Sequence, residues 1–371
     1  MKKQLLCTSA IALGVAAAAP ASAQDWNLDW GGFMSQHVAF IDGDLKVGGA
    51  TAPGFDWSGL ELHQTAEIIF TPSITLDNGL TFGVNIQFEG QNGLNIDESY
   101  MSISSDTFGR LDIGAENSAG YKSMVGAPTV TSMWINSPSI STFIALSASG
   151  ALPFAFRQAA ISSYTEVAGN NDVRRISYYT PSFNGLTIGV SYARDGVTNA
   201  GNNYGLGLDT NGIFLSDVMD IGVNYSQSFG NADVNIGARY GTGSYAAGNP
   251  ASDPETWGIG ATVGFGGFTI GGSYAENDNG AANGVGDQEG WSFGMTYDAA
   301  GPWAFEALTY QGETTVAPGV TSDYTAYKVG ASRDLGPGVD WDVYAVMAEN
   351  GVSGTLEVEG FAVGTAINLS F

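Results

Sequence analysis

The chain ends in Gly360-Phe-Ala-Val-Gly-Thr-Ala-Ile-Asn-Leu-Ser-Phe371, a stretch in which large apolar residues alternate with small or polar ones. Such alternation indicates a β-strand whose two faces meet different media. An aromatic side chain at the last residue of such a strand is typical of a transmembrane β-barrel, whose apolar face meets lipid while the other face lines a wet interior. One face would carry Phe361, Val363, Thr365, Ile367, Leu369 and Phe371.

The same alternation recurs along the chain and predicts sixteen strands. We expect long, polar connections after odd-numbered strands and connections of two to five residues after even-numbered ones, as in outer-membrane barrels. The fold class is therefore all-β, an antiparallel transmembrane barrel; a secreted β-sandwich also alternates and remains the alternative. The predicted strands are 26–40, 57–71, 80–88, 96–105, 108–117, 173–180, 186–192, 219–225, 234–240, 257–265, 268–274, 291–297, 303–307, 327–331, 341–347 and 360–371.

The N-terminus has the features of a secretory signal peptide. Lys2 and Lys3 precede an apolar run, and Ala21-Ser22-Ala23 offers a cleavage site of small residues. The run is shorter than the roughly 18 residues of a membrane helix. We therefore expect residues 1–23 to be removed and residues 24–371 to form one domain. Because Cys7 lies in the removed segment, the mature chain has no cysteine for disulfide or thiolate chemistry.

The composition is acidic and low in charge at the same time. Removal of Lys2 and Lys3 takes the formal charge from −25 to −27, which disfavours nucleic acid and anionic lipid as partners. Charged residues make up 13% of the chain, against about 25% in soluble domains. The mean hydropathy is only +0.02, so apolar residues are dispersed by alternation, as a barrel in lipid requires.

Several segments carry a family resemblance. Phe108-Gly-Arg-Leu-Asp-Ile-Gly114, Arg175-Ile-Ser-Tyr-Tyr-Thr-Pro-Ser-Phe-Asn-Gly-Leu186 and Asp77-Asn-Gly-Leu-Thr-Phe-Gly83 resemble the general porins of Gram-negative bacteria, in particular alphaproteobacterial ones. The resemblance implies a homotrimer of sixteen-stranded barrels in the outer membrane, each with its third extracellular loop folded into the pore. It further implies passage of ions and small hydrophilic solutes, and a role for the terminal Phe371 as the assembly signal.

Physical reasoning supports a channel. Side chains cannot fill a barrel of sixteen strands, so water occupies its interior. The segment between the fifth and sixth strands, about residues 118–170, is too long for an ordinary connection and is expected to be functional. Folded inward, it would form a constriction where a few charges act at short range.

Strand parity predicts which charges face the lumen. We hypothesise that four basic wall residues form one cationic side of the constriction; the alternative is that they lie at other depths of the wall. The basic wall residues are Arg110, Arg175, Arg239 and Lys328. The other predicted lumen or constriction residues are Glu61, His63, Glu67, Asp112, Lys122 and Arg157.

The predicted constriction loop departs from the family pattern. Family members commonly carry acidic residues there, but residues 117–165 contain none. Acidic partners for the basic residues would have to come from Glu116, Glu166 or glutamates of the wall. The loop instead holds large apolar side chains, which would either narrow the constriction or pack the loop on the wall. These side chains are Tyr121, Met124, Trp134, Phe143, Phe154 and Phe156.

Signals for cofactors and catalysis are weak. Glu276, Asp278 and Asp287 form a candidate Ca²⁺ site in the outer loops, although a solvated acidic loop is the simpler interpretation. The chain lacks the sequence motifs of serine hydrolases and phosphate-binding loops. Its two histidines, His37 and His63, both fall on inward positions, which disfavours a lipid-facing hydrolase. The sequence thus predicts a non-enzymatic protein without a cofactor.

These expectations define two functions from different classes. The first is a water-filled outer-membrane channel for passive diffusion of ions and small solutes, with a mild preference for cations because of its acidic charge. The second is a plugged structural or adhesive outer-membrane barrel, or a secreted β protein, that binds a partner through its acidic loops.

Overall fold

A computed structural model describes residues 25–53, 58–90, 95–133, 166–196, 200–202, 215–245, 249–352 and 354–371. The predicted signal peptide and Arg157 lie outside these residues, as do Trp134, Phe143, Phe154 and Phe156. Within them the chain forms long antiparallel strands and a few short helical turns. In the part that the structure describes, no helix has the length and apolar character needed to cross a membrane.

Sixteen long strands, labelled β1 to β16, account for nearly all of the regular structure. Within the described ranges, the helical segments are α1 (Ala119–Ser123) and the 3₁₀ turns Val167–Gly169, Ala200–Asn202 and Ala282–Gly284. Two short strands, Ala50–Thr51 and Ser73–Thr75, pair with β1 and β3 respectively. The long strands are β1 Trp30–Val47, β2 Gly59–Phe70, β3 Thr81–Glu89, β4 Ile96–Ser105, β5 Gly109–Glu116, β6 Val173–Tyr179, β7 Leu186–Asp195, β8 Leu215–Phe229, β9 Ala232–Tyr245, β10 Glu255–Phe265, β11 Phe268–Asp278, β12 Gln288–Asp298, β13 Trp303–Ala317, β14 Val320–Gly336, β15 Val339–Val352 and β16 Leu356–Ser370.

The sheet closes on itself. Each strand pairs antiparallel with the next, and β1 pairs with both β2 and β16. At the seam Phe40 lies opposite Leu60 on one side and Val363 on the other. Closure leaves no unpaired edge, which a sheet in lipid must avoid because its backbone groups have no water to bond. The predicted sixteen-stranded antiparallel barrel is confirmed.

The distribution of side chains is inverted relative to a soluble protein. Leu62, Ile259 and Phe293 point outward and are 66%, 51% and 54% exposed. On the opposite parity, Arg239 and Asp342 are 4% and 0% exposed. A β-sandwich would bury its apolar faces between two sheets. A single closed sheet with an apolar exterior and a polar interior is instead the arrangement of a barrel in a bilayer.

The predicted alternation of long and short connections is wrong at two even-numbered connections that are longer than five residues, 71–80 and 180–185, and it is wrong for the last strands. Only residues 318–319 join β13 to β14, and residues 353–355 join β15 to β16. The polar sequence there continues as paired strand, since Glu313 lies opposite Asp323. These strands contain 14 to 17 residues, more than the 9–11 that span a bilayer. The last strands therefore extend beyond the apolar band and replace loops.

Candidate functional site in the barrel lumen

The described start of the predicted constriction loop, residues 118–133, lies inside the barrel. The Oγ atoms of Ser191 on β7 and Ser292 on β12 each accept a backbone N–H of this segment at 3.1 Å. Asn224 Nδ2 on β8 donates to one of its carbonyls at the same distance. All three wall residues have inward parity. Residues 118–133, called the strap below, therefore run along the inner face of the wall from β7 toward β15.

Glu306 on β13 is the strongest attachment of the strap. Its carboxylate accepts hydrogen bonds from Thr129 Oγ1 (2.6 Å), Val130 N (2.7 Å), and both Thr131 N and Oγ1 (3.2 and 2.6 Å). Lys328 Nζ on β14 lies 2.9 Å from the same carboxylate and also donates to both threonine hydroxyls. The predicted lumen cation Lys328 is thus 2% exposed, beneath the strap.

A second carboxylate, Asp342 on β15, holds the next residue of the strap. It accepts hydrogen bonds from Ser132 N at 2.7 Å and Ser132 Oγ at 2.8 Å, and from Asn368 Nδ2 at 2.7 Å. His37 lies beside this contact, with Nδ1 3.0 Å from the hydroxyl of Tyr344. The strap is therefore bonded to three successive strands, β13 to β15, at this end.

Two predicted lumen arginines meet at the base of the strap. Glu166 Oε2 lies 4.0 Å from Arg175 and 3.9 Å from Arg239, and Glu166 Oε1 accepts Ser118 N at 2.5 Å. Arg239 also pairs closely with Asp220 of β8. Their side chains are at most 2% exposed. The loop-end carboxylate expected from the sequence, Glu166, supplies the negative charge here.

Arg110 and Lys122 have a different environment. Arg110 Nε lies 2.7 Å from Asp112, and Lys122 Nζ lies 2.5 Å from Glu116. Both cations lie over the ring of Tyr100, at 5.9 and 4.9 Å from its centroid. Their side chains remain 47% and 28% exposed. The four basic wall residues of the sequence hypothesis therefore do not share one surface: three are buried in ion pairs, and Arg110 is accessible.

Acidic side chains gather on β2 to β4. Glu67 lies directly opposite Glu89 in the sheet register. Asp97 and Glu98 of β4 are also close enough to repel a negative charge on Glu67. Glu61 is exposed on the same inner face of β2. We call β7 to β15, along which the strap runs, the covered wall, and β2 to β5 the open wall. The strap reaches the open wall with the side chain of Lys122, which contacts Glu116 and Tyr100.

Asp172, just before β6, adds to the acidic group. Burial raises its pKa to about 8, with further contributions from Asp97, Glu98 and Glu166, while Arg175 acts in the opposite direction. One of its oxygens accepts a hydrogen bond from the neighbouring Asn171 at 2.6 Å. Burial and the surrounding acids thus both favour the protonated form of this carboxyl at neutral pH.

The remaining predicted residues lie apart from these groups. The ring of His63 is 6.1 Å from that of His37, its partner in the register of β1 and β2. Phe371 exchanges two backbone hydrogen bonds with Gly32 across the seam, at 3.0 and 3.1 Å, and its ring lies 5.9 Å from that of Trp30.

Of the calcium candidates, Asp278 and Asp287 lie close to each other, whereas Glu276 lies apart from them. Glu276 accepts hydrogen bonds from Trp257 Nε1 at 3.1 Å and the hydroxyl of Tyr274 at 2.6 Å, on the outer face of the barrel. Asp278 and Asp287 instead accept backbone N–H groups of the β11–β12 connection. Within the described residues, no group of three or more His, Cys, Asp or Glu is placed to hold a metal ion.

Sequence reasoning missed Glu306, Asp342 and Asp220, which bond the strap and the buried cations. Each falls on the same inward parity that identified Lys328 and Arg239, so alternation already marked them as lumen residues. The hydrogen bonds of Glu306 and Asp342 to the strap join residues up to 210 positions apart. No local pattern in the sequence carries that information.

Comparisons with known proteins agree with this architecture. The family model described as "Gram-negative porin" matches residues 8–354. No curated protein matches the chain by sequence. Among solved structures, the anion-selective porin from Comamonas acidovorans is 17% identical, with a TM-score of 0.60 over 94% of this chain and 100% of that one. The outer membrane channel DcaP of Acinetobacter baumannii is 13% identical, with a TM-score of 0.62 over 93% and 97%.

A third similar structure is the trimer form of OmpT from Vibrio cholerae, which is 12% identical. Its TM-score is 0.59, over 93% of this chain and 99% of that one. At these identities the structural likeness supports the barrel fold, whereas the match to the family model covers most of the sequence.

Proposed function

This chain belongs to the Gram-negative porin family, and from that premise we propose that it is a cation-preferring diffusion channel that assembles as a trimer. It is an outer-membrane porin, a transmembrane β-barrel channel rather than an enzyme. Ions and small hydrophilic solutes pass through it down their gradients. The cation preference, the constriction and the trimer are the proposed parts.

The cation preference is supported by a difference between the charges in the lumen: most of the described basic side chains are buried in ion pairs, whereas acidic side chains outnumber the basic ones that remain accessible. Buried partners neutralise Arg175, Arg239 and Lys328. On the open wall, the carboxylates of Glu61, Glu67 and their neighbours outnumber the accessible cations. Fixed negative charge beside a narrow aqueous path raises the local concentration of cations. The formal charge of −25 acts in the same direction.

The strap supports a constriction formed by the loop of residues 118–170. The strap, which is the described part of this loop, lies on the inner face of the wall and is hydrogen-bonded at both of its ends. We propose that Lys122 and Arg110, together with the acidic open wall, line the solute path beside this loop. Arg157 belongs to the same loop and keeps its predicted role there.

Two further partners follow from the same premise. The outward apolar side chains provide a surface for outer-membrane lipid and for neighbouring protomers. The family resemblance and the trimer form of OmpT support a homotrimer. Chemical cross-linking of the detergent-purified protein should yield a species of three protomers. If cross-linking yields only the monomer, that result would contradict trimer formation.

Reconstitution in a planar bilayer tests the function. We expect stepwise conductance and, in a salt gradient, a reversal potential whose sign shows cation preference. An intact barrel without conductance would support the alternative of a plugged structural or adhesive protein. A reversal potential of the anionic sign would contradict the cation preference and leave the channel function intact.

A further inference from the structure

Four glycines with inward parity lie beneath the first half of the strap, on three adjacent strands. A methyl group at Gly260 would overlap the carbonyl oxygen of Val125, and one at Gly237 would overlap that of Ser123. At Gly222 it would lie 2.6 Å from Ala119 O, and at Gly258 3.0 Å from Met124 Cε. The strap therefore rests directly on the backbone of β8 to β10. We call Gly222, Gly237, Gly258 and Gly260 the glycine seat.

The sheet register concentrates this contact. Gly237 and Gly260 lie directly opposite each other on β9 and β10, and Gly237 also faces Asn224 of β8. Asn224 Nδ2 donates to Ser123 O, so the strap is bonded directly beside Gly237. The glycines allow the strap to approach the backbone of the wall, and this hydrogen bond holds it there.

The strap has no room to move toward the wall. Strands β9 and β10 are hydrogen-bonded on both sides within the closed sheet. At its ends the strap is bonded by Glu166 at Ser118 and by Glu306 at residues 129–131. A side chain added to the seat would therefore displace the strap into the lumen, by a distance on the order of a carbon–carbon bond, about 1.5 Å.

We propose that Gly237 and Gly260 are specificity-determining residues of the channel. By letting the strap lie against bare backbone, they set the open cross-section of the pore and with it the largest solute that passes. They touch no solute themselves and act by positioning the strap. The proposal rests on the channel function given above and adds to it the residues that determine pore size.

The chain contains a matched control for this role. Gly264 lies on β10 with the same inward parity as Gly258 and Gly260. The atoms nearest a methyl group at Gly264 would be Thr269 Oγ1 at 3.5 Å and Cβ and O of Asp233 at 3.7 and 3.8 Å, all ordinary contact distances and none of them in the strap. The three positions thus form a series on one strand. An added methyl group would meet no atom of the strap at Gly264, the flexible end of the Met124 side chain at Gly258, and the backbone of the strap at Gly260.

The experiment measures single-channel conductance of the full-length protein and of the variants Gly260→Ala, Gly237→Ala, Gly258→Ala and Gly264→Ala. Swelling of liposomes in sugars of increasing size gives the solute limit of each variant. We expect Gly260→Ala and Gly237→Ala to lose conductance, because displacement of the strap by about 1.5 Å narrows the open cross-section. Gly258→Ala should lose less and Gly264→Ala nothing, and the largest permeant sugar should fall in the same order.

Equal conductance in all variants would overturn the proposal, as would a loss at Gly264 as large as at Gly260. An increase at Gly260 would also overturn it, because it would mean that the strap detaches. If Gly260→Ala and Gly237→Ala do not yield folded barrels, the comparison of Gly258→Ala with Gly264→Ala decides. If the unmodified protein shows no conductance, that result would instead contradict the channel function.

Discussion

The covered wall and the open wall face the same lumen, but they hold their charges differently. On the covered wall, Arg239 and Lys328 are each enclosed with a carboxylate beneath or beside the strap. On the open wall, Arg110 keeps nearly half of its side chain exposed although it pairs with Asp112. Both walls are built from strands with the same alternation, so the strap causes the difference.

This difference indicates that charged side chains have two roles in the barrel, one structural and one in ion selection. A buried ion pair is costly to desolvate and is useful where it holds two segments in one arrangement. An exposed charge contributes little to stability but acts on ions that pass nearby. We therefore expect the covered wall to determine the position of the strap, and the open wall to determine which ions pass.

The largest effect is expected from Glu306→Gln on the covered wall. The variant loses the charge that pairs with Lys328 and weakens the acceptor of the strap's hydrogen bonds. An uncompensated buried charge costs about 3–5 kcal/mol. We expect the free energy of unfolding in detergent to fall by about that amount, and channel records to become noisier as the strap loosens.

Glu313→Gln on the same strand is the matched control. Glu313 has outward parity, opposite Asp323, and makes no contact with the strap among the described residues. Removal of its charge should change the free energy of unfolding by less than about 1 kcal/mol. A similar loss in both variants would mean that the covered wall is no more sensitive than the exterior.

A smaller effect, on selectivity, is expected from Arg110→Gln on the open wall. A unit charge about 10 Å from a passing ion is worth roughly 0.4 kcal/mol in water, or about a factor of two in local concentration. The loss of this accessible cation should raise the local cation concentration and lower the anion concentration, each by about a factor of two, so the ratio of cation to anion permeability should rise about fourfold. The shift of the reversal potential in a salt gradient measures it.

Arg333→Gln removes the same charge from the outside of the barrel, where Arg333 lies over Trp303 at 5.5 Å from the ring centroid. The reversal potential should stay unchanged in this variant. An equal shift in both variants would attribute the selectivity to net charge rather than to the open wall.

The fold was predictable because it depends on a local pattern. Alternation located all sixteen strands, and parity placed Glu61, His63 and Lys328 on the inner face. It failed at the ends of β13 to β16, where polar residues continue as paired strand. In a strand segment that faces lipid, apolar and polar residues alternate clearly in the sequence. A strand segment that projects into water is polar on both faces, so its sequence resembles that of a loop.

The lumen was less predictable because its geometry depends on contacts between distant segments. Parity identified Arg175 and Arg239 as inward residues but could not show that Glu166 and the strap enclose them. The glycine seat was equally hidden, since glycine on an inner face fits any wet barrel. Only the path of the strap distinguishes Gly260 from Gly264.

The smallest effect concerns Asp172, where the two walls meet. Because its pKa is raised to about 8, this carboxyl is neutral at pH 6 and ionised at pH 10. Ionisation adds one negative charge beside Asp97 and Glu98. Cation preference should therefore rise with pH, with a midpoint near 8. Reversal potentials measured between pH 6 and 10 should show this step in the unmodified protein and lose it in Asp172→Asn.

Stability should respond to the same proton with the opposite sign. The folded barrel holds a proton on Asp172 that the unfolded chain releases near pH 4, so this contribution to stability is complete below pH 4 and is lost as the pH rises through 8. In Asp172→Asn that pH-dependent loss should disappear, because the amide stays neutral. A selectivity step that persists in Asp172→Asn would assign the titration to another carboxyl of the open wall, and burial by the loop base would then play no part in tuning the channel.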